Sequence, residues 1–396
     1  MMQISPETQL FIREHSSDDV RVLALQAKKY PDIDMPTAIT QIAGRKVAAE
    51  KIPSWWEIEK IWYPKHLSLE QCSSEITARY KARLLQGDSL TDLTGGFGID
   101  CSFLVTGFKS ATYVERQEEL CEIAAHNFPV LNLNHINIKN EDGVTYLQVM
   151  SPVDSLFLDP ARRNEHGGKT VAISDCEPNV AELEELLLQK ANRVMIKLSP
   201  MLDLSLALKE LKQTQEVHIL SVNNECKELL ILLGQTSPAE ISIHCVNLFT
   251  KGTQKEQHFV FTREQEQCSE CTYTDSLETY LYEPNASLLK AGAFRSIAAA
   301  YPVRKLHPNS HLYTSDTFIE NFPGRIFRIV NQCSFNKKEV KENLADLKKA
   351  NVTVRNFPAT VAELRKRIHL AEGGDTYLFA STLNNGQKVL IRCEKV

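Results

Sequence analysis

Twelve residues, Ser89 to Asp100 (S-L-T-D-L-T-G-G-F-G-I-D), constrain this chain more than any others. Ser89-Leu90-Thr91-Asp92-Leu93 has the character of a short buried strand, and Gly95-Gly96-Phe97-Gly98 that of a tight turn. Cys101, Phe103, Leu104 and Val105 then supply the apolar face of a helix. A strand that feeds a glycine-rich turn and then a helix is how α/β sheets receive nucleotide-like ligands at their strand ends. Gly96 and Gly98 lack a Cβ, so backbone and ligand can approach closely. Asp92 brings a carboxylate into the same crevice, where it would repel a pyrophosphate and suit a cation.

The flanking sequence predicts alternating strands and helices. Ser110 to Val114 reads as a second strand ending in Glu115, twenty-three residues after Asp92. That is close to the spacing at which an acid hydrogen-bonds ribose hydroxyls in dinucleotide-type folds. A helix over Gln117–Asn127 leads to a third strand, Ile136–Lys139, and to Asn140-Glu141-Asp142, where an acid can meet an adenine amino group. The fourth strand, Ser155–Leu158, closes in Asp159-Pro160-Ala161-Arg162-Arg163. A helix over Glu182–Lys190, a strand over Arg193–Lys197 and a helix over Leu204–Leu211 follow. Glu216–Val222 and Lys227–Leu233, joined by Asn223-Asn224-Glu225 with no helix between, predict an antiparallel edge hairpin. The whole describes a three-layer α/β sheet with one reversed strand.

Upstream, Thr8 to about Lys65 is helical in pattern and divided by Pro31, Pro36 and Pro53. Trp55, Trp56 and Trp62 end that section, either as a base-stacking cluster or as a packed junction. Ser68 to Gly87 predicts one helix with capping-box spacing at Ser68 and Gln71. Its polar face carries Gln71, Ser74, Thr77, Arg79 and Lys81, within reach of the glycine loop or simply in solvent.

A length of 396 residues suggests two or three domains. No apolar run approaches the ~18 residues of a membrane span, and no basic-then-apolar leader pattern is read at the start. The ten cysteines are scattered, which fits reduced core residues and a cytoplasmic protein. Cys268-x-x-Cys271 has no matching second pair, so no metal is expected. Cys176 and Cys226 read as core or loop thiols rather than nucleophiles. Residues 263–275 form the best linker, and a smaller α/β unit with a charged helix over Lys337–Lys349 follows. From Tyr301 onward sixteen Lys and Arg face nine Asp and Glu, a local charge of +7 in a chain of net charge −5. Lys337, Lys338, Lys348, Lys349, Arg365, Lys366 and Arg367 are either a phosphate-contacting face or solvated helix surface.

The order of elements, the D-x-x-x-G-x-G spacing of Asp92, Gly96 and Gly98, Glu115 and the terminal hairpin resemble class I S-adenosylmethionine-dependent methyltransferases. D-L-T-G-G-F-G-I-D and D-P-A-R look closest to enzymes that modify RNA bases, among them cap-guanine and tRNA-guanine enzymes. The helix E-Q-C-S-S-E-I-T-A-R-Y-K-A before the loop resembles a bacterial family with a THUMP-like C-terminal domain. The resemblance implies a Rossmann-like seven-stranded sheet over residues 67–265, a helical region over 1–66 and a ferredoxin-like/THUMP-like RNA-binding region over 276–396. It implies S-adenosylmethionine as cofactor, held by Gln71, Asp92, Thr94, Gly96, Gly98, Glu115 and Asp142. Asp92 would meet its ammonium and sulfonium end, Glu115 its ribose and Asp142 its adenine. Asp159, Pro160 and Arg162 would form the acceptor side, with Asp159 positioning a base nitrogen. Related enzymes carry a second proline and an aromatic ring where this chain has Ala161 and Arg162, and Arg162 and Arg163 could instead hold a phosphate or stack a base. That departure keeps two rivals open: a small-molecule or protein acceptor, and a non-catalytic RNA-binding scaffold.

Overall fold

In a computed structural model the chain is described over residues 4–162, 172–236 and 238–396. It divides into two compact units, one of residues 1–215 with 229–238, the other of 216–228 with 239–396.

The first unit holds β1 (Ser89–Asp92), β2 (Ser110–Glu115), β3 (Ile136–Asn140), β4 (Val153–Leu158) and β5 (Ala191–Leu198). β1 pairs in parallel with β2 and β4, β2 with β3, and β4 with β5. β1 therefore lies at the middle of the parallel set, where the strand order reverses and α/β sheets open a crevice. β4 presents Ser155, Leu156, Phe157 and Leu158 wholly buried, as a strand covered on both faces should. Residues 229–234 pair antiparallel with β5, which supplies the reversed strand. Helices Glu118–Val130, Gly143–Val149, Val180–Lys190 and Leu204–Glu210 connect or follow the strands. Among them Gly143–Val149 was not anticipated; Asp142 starts it, accepting from the amides of Val144 and Thr145 at 3.0 Å.

The N-terminal region forms helices Pro6–Glu14, Val20–Leu25 and Met35–Lys51, capped by Ser5, Asp19 and Asp34. Proline sits in the first turn of the first and third, where its missing N–H costs no intrahelical bond. Trp55 is buried edge-on against Phe97 of the glycine loop, with ring centroids 5.2 Å apart. Trp62 stacks on His126 at 3.8 Å. Both rings thus form a packed junction, while Trp56 is exposed beside Arg45.

The single helix expected from Ser68 to Gly87 is two, His66–Gln71 and Glu75–Ala82. Cys72 and Ser74 are extended, and Ser73 between them is buried and bonded to three charged side chains described below. Those partners outweigh the one or two helical bonds lost at the break.

The second unit contains β6 (Thr214–Val222) from Glu216 on, the start of β7 (Glu225–Gly234), β8 (Ser242–Leu248) and β9 (Glu256–Thr262). Asn223 and Asn224, both with positive φ, make the expected tight turn. The hairpin is not an edge: β8 adds in parallel to β6 and β9 antiparallel to β8. Residues 263–268 are a helix rather than linker, opened by a Thr262–Gln265 capping box. Its Glu266 carboxylate accepts from the amides of Phe294, Arg295 and Ser296 at 2.8–3.0 Å.

A second sheet joins β10 (Tyr280–Pro284), β11 (Tyr313–Ser315), β12 (Gly324–Ser334), β13 (Asn351–Val354), β14 (Thr376–Thr382) and β15 (Lys388–Lys395), with a two-residue strand at Arg304. Its order is β11-β10-β12-β15-β14-β13, with helices Lys337–Leu344 and Val361–Ile368 beside it. The helix Ala286–Ala291 ends at Gly292, whose φ of +78° makes a left-handed cap. Among the described residues no helix is long and apolar enough to cross a membrane.

Candidate active site

Three carboxylates gather where β1, the glycine loop and β4 meet. Asp92 ends β1 with no exposed surface. Its Oδ1 accepts from the Thr94 amide at 3.0 Å, and its Oδ2 is buried without a hydrogen-bond partner. Burial, opposed by the Thr94 hydrogen bond and reinforced by Asp100 and Asp159, pushes its carboxyl up to about 8. An orphaned buried carboxylate oxygen is rare in folded proteins and marks a place for a donor or a cation.

The loop around it is built tightly. Gly95 lies against the Tyr113 ring, so that a Cβ there would stand 2.2 Å from a ring carbon. Gly96 and Gly98 adopt φ of +55° and +85°, which favours glycine. The Gly96 amide donates to Glu115 Oε2 at 2.8 Å, and the Tyr113 hydroxyl donates to the Gly96 carbonyl. Glu115 also takes the Gln117 amide on Oε1 at 2.9 Å, so the ends of β1 and β2 are laced together. Gly95→Ala should destabilise the protein by about 1–3 kcal/mol through overpacking. Thermal unfolding against Gly107→Ala, whose Cβ meets nothing within 4 Å, measures it; equal melting temperatures would contradict the packing account.

At the end of β4 the Asp159 amide donates to the Thr94 hydroxyl at 2.6 Å, which ties the acceptor strand to the glycine loop. The Asp159 carboxylate meets Lys197 Nζ at 2.7 Å while its side chain keeps 38% exposure. Burial in the crevice raises its carboxyl, against the pull of Lys197. Pro160 beside it is buried. The Arg162 side chain and Arg163, of which a phosphate-holding or base-stacking role is expected, lie outside the described residues.

Lys197, at the end of β5, also reaches Asp100 Oδ2 and Ser73 Oγ, each at 3.0 Å. Asp100 in turn pairs with Lys81 at 2.9 Å and accepts from Ser73 Oγ at 2.7 Å. Burial alone would raise the Asp100 carboxyl, but Lys197 and Lys81 outweigh it and hold the group well below the usual carboxylate range. Lys81, expected on a polar helix face, is fully buried. Sequence reasoning missed this Lys81–Ser73–Asp100–Lys197 cluster. The available signal was the i, i+8 placement of Ser73 and Lys81, and a lysine ending an otherwise apolar fifth strand.

The structure thus brings together Asp92, Thr94, Gly96, Gly98, Glu115 and Asp159. Gln71 lies exposed at the last position of its helix, and it is Ser73 that reaches inward. Asp142 is exposed, with Oδ1 occupied in capping. Cys226 is a poor nucleophile, since burial pushes its thiol up to about 11.

The fit of a cationic cofactor can be judged from these groups alone. Asp92 offers a buried carboxyl oxygen without a hydrogen-bond partner, and two glycines with positive φ leave the loop backbone open beside it. Glu115 faces the same loop with a bound amide. The residues present fit S-adenosylmethionine, whose methionine part carries an ammonium and a sulfonium.

Residues 280–323 match a ferredoxin-like domain family and residues 324–395 a THUMP domain-like family. A candidate methyltransferase from Porphyromonas gingivalis W83 is 34% identical over 100% of both chains, with a TM-score of 0.87. A candidate methyltransferase from Streptococcus mutans, solved with SAH, aligns to 40% of this chain and 96% of its own at 14% identity and TM-score 0.30. An rRNA methylase from Streptococcus thermophilus aligns to 40% of this chain and 93% of its own at 15% identity and TM-score 0.30. No curated protein matches the chain.

Proposed function

We propose that this chain, which belongs to the class I S-adenosylmethionine-dependent methyltransferase family with a THUMP-like C-terminal domain, methylates a base nitrogen of RNA. The observation that carries the reading is the buried, partnerless Asp92 Oδ2 set beside Asp159 at the ends of β1 and β4. When bound, S-adenosylmethionine supplies an electrophilic methyl group. Asp92 and the Gly96–Gly98 backbone would hold its amino-acid end and Glu115 its ribose. Asp159 would accept a hydrogen bond from the target N–H. Its Oδ2 is engaged by Lys197, so Oδ1 is the atom that orients the nitrogen and receives its proton. The main contribution of the protein is alignment, which needs no covalent intermediate. The THUMP-like match and the exposed Lys337, Lys338, Lys348, Lys349, Lys366 and Arg367 support RNA as the acceptor class.

Transfer of tritiated methyl groups to total RNA, total protein and small-metabolite fractions tests the assignment. Label is expected in RNA, and Asp159→Asn should lower the rate by about 10²–10⁴-fold, the range for a positioned proton acceptor. Label confined to protein or metabolites would remove RNA as acceptor. An Asp159→Asn enzyme of full activity would remove Asp159 from the reaction.

A further inference from the structure

Three adjacent strands of the second unit place four metal-ligating side chains on one face. Glu216 and His218 are two apart on β6 and so point the same way. His244 on β8 is registered opposite His218, and His258 on β9 lies diagonally across from His244. Glu216 Oε2 stands 3.2 Å from His218 Nε2, and His244 Nδ1 stands 3.1 Å from His258 Nε2. Two donors held ~2.0 Å from one tetrahedral zinc are about 3.3 Å apart, so both separations are those of neighbouring ligands. Ligand atoms of Glu216, His218 and His244 lie within 4.8 Å of one another.

We propose that Glu216, His218 and His244, with His258 as the fourth donor, bind a divalent first-row transition metal such as Zn²⁺. The donor set of imidazoles and one carboxylate suits such ions and not Mg²⁺ or Ca²⁺. His218 is buried, whereas His258 is exposed. The His218 and His244 rings are stacked at 4.3 Å and 13°, so chelation requires one ring to turn about χ2, a broad torsion for histidine. The ion would staple β6, β8 and β9, and it is independent of Cys268 and Cys271.

Full-length protein treated with EDTA, desalted and titrated with Zn²⁺ and with Co²⁺ tests this. One equivalent should be retained through gel filtration, and the melting temperature should rise with added Zn²⁺. The Co²⁺ absorption should show ligand-field bands without thiolate charge transfer. Glu216→Gln and His244→Ala should weaken Zn²⁺ binding by at least about 100-fold, since losing an outer-shell partner alone costs up to that. The proposal is overturned by the absence of a retained equivalent, by a thiolate signature, or by unchanged affinity in Glu216→Gln. Should His244→Ala fail to fold, the Co²⁺ spectrum of the parent and the half-exposed Glu216→Gln still decide the matter.

Discussion

The Asp92→Asn variant is expected to lose S-adenosylmethionine affinity by about 100-fold or more while the ligand-free protein folds at least as stably as its parent. Truncating one side of a buried charge pair costs about 2–5 kcal/mol of binding, and Asp92 Oδ2 is buried in the crevice without a hydrogen-bond partner. The same burial that makes the site also strains it. With a carboxyl at about 8, Asp92 is largely protonated at pH 7 in the absence of ligand. A group whose folded pKa is raised contributes stability that is complete below its unfolded value near 4 and lost as pH climbs through about 8. Asparagine has no proton to lose, so its relative stability should grow across that window. Binding of a cation has the opposite sign, because it needs the ionised carboxylate. Parent affinity should therefore rise about tenfold per pH unit from 6 to 8 and then level off. Calorimetry at four pH values, with thermal unfolding alongside, reads both effects. A flat affinity between pH 6 and 8, or an Asn variant that binds like the parent, would move the cofactor away from Asp92.

Much of this site is legible because short-range rules govern it. The strand–glycine–helix pattern places Asp92 and Gly96, and the acid at the end of the next strand places Glu115, before any tertiary information enters. The parallel strands come out close to their expected limits because β-branched and apolar runs between polar turns leave few alternatives. What escapes are decisions made by partners distant in sequence. The break after Gln71 exists because Ser73 meets Lys197, which lies 124 residues away. Lys81 follows helical polar spacing and is still fully buried, because Asp100 waits at its tip. Likewise the stretch after Thr262 looks like linker by composition, and becomes helix because Glu266 satisfies three amides near residue 295. The hairpin at Asn223-Asn224 is read from local turn chemistry, but its covering by β8 depends on residues 242–248 and leaves no mark in the hairpin itself.

Lys197→Met should be the most damaging single change to stability, costing about 3–5 kcal/mol of a total near 5–15 kcal/mol. The substitution keeps the length of the side chain and removes the charge at the centre of three contacts, to Asp100, Ser73 and Asp159. Asp100 would keep Lys81 and the Ser73 hydroxyl, but two buried cations would no longer balance it. The loss should shrink in an Asp100→Asn background, because the charge left unpaired is then gone, and the two substitutions should be non-additive by about 0.5–3 kcal/mol. The pH dependence fixes the sign independently. A depressed carboxyl stabilises above its unfolded value near 4, and that stability disappears on further acidification. Urea unfolding of the parent should therefore weaken sharply below pH 4, and Lys197→Met should weaken less steeply. Function gives a readout that simple loosening of the fold would not move. Lys197 lowers the Asp159 carboxyl against the burial that raises it, so removing the ammonium should shift the acid limb of the methyl-transfer rate to higher pH. An unshifted limb with unchanged stability would mean that Lys197 neither supports Asp100 nor tunes Asp159.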